Sequence, residues 1–114
     1  MDARKQAHIA RVAAAFEPGS IEHLVAIFHD HLEDNLGRIP HAVHVHVARL
    51  TRVPAAESYA DYIDRLAESD DVVAIRVKRA DLLDNLARSF GLHGGTPSKS
   101  RRRRYMKALK VLGA

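Results

Sequence analysis

Apolar side chains recur along this chain at three- and four-residue intervals, the period of one face of an α-helix. Ile9, Val12, Ala13 and Phe16 share one stripe within an alanine-dense segment, which predicts a first helix over residues 2–16. Pro18-Gly19 ends it. Ser20 is placed to cap a second helix, which runs through Leu24-Val25-Ala26-Ile27-Phe28 to about Asn35. Gly37 marks its end, and Pro40 suits the start of a third. Residues 41–50 fit two periods. Val43, Val45 and Val47 alternate with His44 and His46 as in a strand, whereas Val43, Val47 and Leu50 share a helix face. With no other strand signal in the chain, a helix is expected. Thr51-Arg52-Val53-Pro54 breaks the pattern. A fourth helix is expected from about Glu57 to Ser69, with Tyr59, Tyr62, Ile63 and Leu66 on its apolar side. A fifth, opened by Asp70 or Asp71, runs from Val72 to about Phe90. Residues 91–100 read as a loop. A last helix, Arg101 to Leu112, docks with Tyr105, Leu109 and Leu112. The expectation is an all-α fold of about six helices, one domain spanning residues 1–114, without internal repeat.

Composition narrows this picture. Of the 114 residues 46% are apolar but only 5% aromatic, so the core is aliphatic, which favours helix packing. The absence of Cys excludes disulfides and thiolate metal sites. No apolar run reaches transmembrane length and no signal peptide is evident, so no membrane partner and a cytoplasmic location are expected. The net charge of +4 is uneven: residues 90–114 hold seven Lys/Arg and no acid, against eleven Lys/Arg and fourteen Asp/Glu in residues 1–89. A basic C-terminal segment, 99–114, on an acidic body points to an anionic partner.

The candidate chemistry lies where the second helix turns polar. Phe28-His29-Asp30-His31-Leu32-Glu33-Asp34-Asn35 continues an apolar run with five ionisable groups. Burying such groups is costly unless they are paired or bind a metal ion. Helical spacing puts His29, Asp30, Glu33 and Asp34 toward one space, and Asp81 and Asn85, four apart, on one face of the fifth helix.

These segments resemble the motifs of RelA/SpoT-type HD-domain hydrolases. His8-Ile9-Ala10-Arg11-Val12-Ala13 resembles their His-Pro-x-x-Val-Ala segment, with Ile9 at the usual Pro. Residues 28–35 resemble their Leu-His-Asp-x-x-Glu-Asp-Thr signature, and Val77-Lys78-Arg79-Ala80-Asp81-Leu82-Leu83-Asp84-Asn85-Leu86 their Lys-Leu-Ala-Asp-x-x-x-Asn-Met segment. Leu50-Thr51-Arg52, Glu57-Ser58-Tyr59-Ala60-Asp61-Tyr62-Ile63 and Arg104-Tyr105-Met106-Lys107-Ala108-Leu109 are similar to segments of short bacterial and phage members. The resemblance implies a metal-dependent hydrolase cleaving a phosphate ester or pyrophosphate of a nucleotide such as (p)ppGpp. It implies His8, His29, Asp30 and Asp81 as metal ligands, Glu33 and Asp34 as the catalytic pair and Asn85 as a substrate contact. Two imidazoles and two carboxylates suit a divalent first-row ion, and the family implies Mn²⁺. Lys78 and Arg88 flank Asp81 and are candidates to meet a substrate phosphate. The family's basic segment ahead of the first His is not reproduced by Arg4 and Lys5, so either the substrate differs or another element contacts the base.

Other readings compete. An HD-like module without catalysis would use Arg101, Arg102, Arg103 and Arg104 to dock nucleic acid or another anion. Acids, not arginines, complement a helix N-terminus, which gives that run a cost in search of a role. A third reading is a metal ion that only ties helices together. His41, His44 and His46 read as solvated or partly packed histidines, and Asp70-Asp71 as a helix cap.

Overall fold

Among the described residues, four of the six α-helices open on a side-chain cap, which explains where they begin. The computed structural model describes residues 3–29 and 39–113. It is all-helical, with α1 (Ala3–Ala13), α2 (Ile21–Phe28), α3 (His41–Arg49), α4 (Tyr59–Glu68), α5 (Val72–Arg88) and α6 (Lys99–Val111). Ser20 accepts the His23 amide ahead of α2 at 3.1 Å, and Ser58 the Asp61 amide ahead of α4 at 3.1 Å. Asp71 accepts the Ala74 amide ahead of α5 at 3.0 Å, and Ser98 the Arg101 amide ahead of α6 at 3.3 Å. Each bond satisfies an amide that the first helical turn leaves without a partner. The cap at Ser98 starts α6 two residues before the expected Arg101. At the other end of the chain α1 stops at Ala13. The Ala15 and Phe16 amides turn back to carbonyls only three residues earlier, at 3.2 and 3.1 Å.

The ambiguous valines resolve by burial. Val43 and Val47 are fully buried, while Val45 stays 49% exposed. A strand would have put all three on one face; the helix turns the middle one outward.

Helix α5 touches each of the other five α-helices among the described residues. Ala74, Val77 and Leu82 carry its core face, against Val12, Val25, Val43, Val47, Leu66 and Leu109 from its neighbours. Asp81 is buried on the same helix. The chain then reverses to lay α6 along α5. Gly91 adopts a left-handed φ of 95° beyond the helix end, and the Ser98 amide donates to the Ser89 carbonyl at 2.9 Å. Gly95 rests on the last turn of α5, where a Cβ would collide with the Arg88 carbonyl, so the reversal requires glycine there. No helix among the described residues is long and apolar enough to cross a membrane.

Candidate metal centre and its cleft

Two short spacings build the site. His8 and Arg11 are three apart on α1, and Asp81 and Asp84 three apart on α5, so each pair shares a helix face. Where α1 packs on α5 the pairs meet. His8 Nε2 lies 2.7 Å from Asp81 Oδ1, and His8 Nδ1 lies 2.6 Å from Asp84 Oδ2. Arg11 Nε donates to Asp84 Oδ1 at 2.5 Å. His29, just past the end of α2, donates from Nδ1 to the Ala26 carbonyl at 2.6 Å. A carbonyl can only accept, so the neutral ring carries its lone pair on Nε2. That atom stands 3.5 Å from the same Asp81 Oδ1. The two imidazoles meet edge to face, with centroids 6.1 Å apart.

His8, His29 and Asp81 are all buried, and their donor atoms lie within 4.8 Å of one another. The group could hold a metal ion. Its chemistry fits one: two imidazole nitrogens and a carboxylate oxygen, with each ring oriented through its other nitrogen by a carbonyl or a carboxylate. Protonation follows the same geometry. Burial pulls the His8 pKa down, but hydrogen bonds and charge from Asp81 and Asp84 outweigh it and hold the imidazolium above its ordinary value. Burial pushes Asp81 up, yet Lys78 and the two histidines hold it well below the usual carboxylate range.

The second oxygen of Asp81 faces elsewhere. Lys78 Nζ lies 2.9 Å from Asp81 Oδ2, and Asn85 Nδ2 3.5 Å from it. Burial works against the Lys78 charge, but Asp81 outweighs it and raises the pKa. These residues open into a cleft of about 230 Å³ whose walls include Arg52, Tyr59, Tyr62, Arg104 and Tyr105. The Arg52 and Arg104 guanidiniums lie 5.8 and 5.2 Å from the Tyr59 ring centroid. The Arg52 Nε is buried and finds no hydrogen-bond partner among the described residues. Tyr62 donates to the Leu50 carbonyl at 2.7 Å, and burial pushes its phenol up to about 12. An anion entering this cleft would meet the cations of Arg52, Lys78 and Arg104 and the neutral amide of Asn85, beside the Asp81 carboxylate that pairs with Lys78.

Of the residues singled out in the sequence, His8, His29, Asp81, Lys78 and Asn85 converge here. Arg88 stands next door, in a smaller cleft of about 70 Å³ that shares Asn85 and Tyr105 with the first and also takes Arg101. Asp30, Glu33 and Asp34 lie outside the described residues. The four arginines divide: Arg104 enters the main cleft, Arg101 the smaller one, and Arg102 and Arg103 line another flank of α6. Sequence reasoning missed Asp84, Arg11, Arg52 and the part of the cleft formed by Arg104 and the tyrosines. A signal for the first two was present, since His8/Arg11 and Asp81/Asp84 have matching spacing and opposite charge. The chain matches no family model, and no curated protein or solved structure matches it.

Proposed function

We propose that this protein is a metal-dependent phosphohydrolase of the HD type, cleaving a phosphate ester or pyrophosphate of a nucleotide. The observation that carries the reading is the two-sided use of Asp81. One oxygen faces His8 and His29, and the other faces Lys78 and Asn85 in a cation-lined cleft. A metal group and an anion-binding cleft meeting on one carboxylate is what phosphate hydrolysis needs. His8, His29 and Asp81 would hold the ion, taken as Mn²⁺, with Asp30 as a fourth ligand. When bound, such an ion supplies Lewis-acid polarisation of a phosphoryl oxygen and a lower pKa for water.

The chain's own residues do the rest. Arg52, Lys78 and Arg104 neutralise phosphate oxygens and hold the group in place. Asn85 orients the substrate from the wall shared with the smaller cleft, where Arg88 receives a second polar group. Tyr59 and Tyr105 exclude bulk water and offer ring faces to a sugar or base, and buried Tyr62 backs the cleft behind Lys78. Glu33 and Asp34 move the protons.

The test is turnover. Purified protein supplied with Mn²⁺ should release phosphate or pyrophosphate from one member of a nucleotide panel that includes (p)ppGpp. Asp81→Asn should abolish both Mn²⁺ binding and release. Arg104→Ala should retain Mn²⁺ and raise KM about ten- to hundredfold, the effect of losing one charged hydrogen bond. Tight Mn²⁺ binding with no turnover across the panel would instead favour an ion that only ties α1, α2 and α5 together.

A further inference from the structure

We propose that the flank of α6 around Phe90 is a docking site for single-stranded nucleic acid. The chain has three phenylalanines. Phe16 and Phe28 pack against the core, whereas Phe90 keeps 56% of its surface exposed. It lines a surface cleft of about 240 Å³ together with Lys99, Arg102, Arg103 and Met106. The Arg102 guanidinium lies 4.5 Å from the Phe90 ring centroid, holding the ring from one side. No acidic residue occurs between Phe90 and the end of the chain, so nothing in this segment neutralises the cleft's three cations. An exposed aromatic ring set among cations is the pairing that single strands use: bases stack on the ring and phosphates track the charge.

The surface selects among polyanions. A membrane-binding helix needs a continuous apolar stripe between its cations. The exposed positions of α6 are instead Lys99, Ser100, Arg101, Arg103, Arg104, Lys107 and Lys110, with Met106 and Val111 exposed beside different clefts. An acidic peptide would use the cations and leave the ring without a role. The ring and Met106 find a use where the partner carries flat apolar faces alternating with phosphates. This site is separate from the metal centre, and the inference holds whatever reaction that centre performs.

Fluorescence anisotropy with a labelled oligothymidylate of about 20 nucleotides tests it, in parallel with a duplex of equal length and with phosphatidylglycerol vesicles. The strand should bind more tightly than the duplex or the vesicles, with affinity falling steeply between about 50 and 200 mM salt. Phe90→Ala should weaken strand binding about fivefold or more. Arg102→Gln with Arg103→Gln should reduce the log–log salt slope by about 1.4. Phe90 and Arg103 are exposed, so circular dichroism of these variants should match the parent protein. Absence of strand binding, a strand affinity unmoved by Phe90→Ala, or a preference for duplex or vesicles overturns the proposal.

Discussion

Asp84 illustrates how a residue outside the donor group can govern it. Its carboxylate holds His8 through Nδ1 and is itself held by Arg11, so it fixes both the direction and the tautomer of the ring when Nε2 is a donor to metal. Asp84→Asn should therefore lower Mn²⁺ affinity about 10- to 100-fold while leaving the fold intact, as read by titration calorimetry. An effect confined to stability would sink that role. Asp81 is best replaced by its isostere, which keeps the side-chain volume and an oxygen that can still accept from Lys78. Alanine takes away both the counter-charge and the hydrogen-bond acceptor of Lys78, which is buried beside the Tyr62 ring, at a cost of about 3–5 kcal/mol. Helical spacing made Asp81, Asn85 and Lys78 legible as one neighbourhood. Arg11 and Asp84 were equally visible, each three residues from His8 or Asp81. Recognising them required knowing that α1 crosses α5 at His8, a packing fact that no local pattern contains.

At the level of elements, the cap of α5 carries more than a helix start. Asp71 has a side chain only 2% exposed and accepts from Ala74, His46 and Arg49 together, linking α3 to α5. Burial raises its pKa, but these hydrogen bonds outweigh it and depress the value below the ordinary 3.8. A depressed carboxyl stabilises the fold above its unfolded pKa, and that contribution is lost as pH falls through the folded value. Asp71→Ala should cost about 1–2 kcal/mol in urea unfolding near neutral pH. Asp71→Asn, which can still cap, should cost less, and its deficit should shrink as pH drops below about 4. A deficit constant with pH would show that the charge contributes nothing. Caps and apolar periods were the most readable part of the chain, and the helix order follows them. The ends of α1 and α6 moved because three-residue turns and the Ser98 cap, rather than hydrophobic period, decide where those helices stop and start.

For the whole molecule, the candidate metal group ties α1 and the end of α2 to α5, which lies far along the chain. Any ion that binds only the folded chain must stabilise it by mass action. Mn²⁺ at about a hundredfold over its Kd should add about 2.7 kcal/mol, seen as a rise in Tm that chelator reverses and Asp81→Asn eliminates. An unchanged Tm at saturating Mn²⁺ would rule out binding at this group. The all-helical bundle was legible from period and caps alone. The cleft was not, because Arg52, Tyr59 and Arg104 come from three separate segments and only the packing of α4 and α6 beside α5 brings them together. That packing has an optical consequence. The chain has no Trp and three Tyr, and Tyr59, Tyr62 and Tyr105 all line this one cleft. Its tyrosine emission, excited above the phenylalanine band, therefore originates entirely from the cleft walls. A bound nucleotide or Mn²⁺ should quench that emission in proportion to occupancy, making the unlabelled protein its own binding sensor.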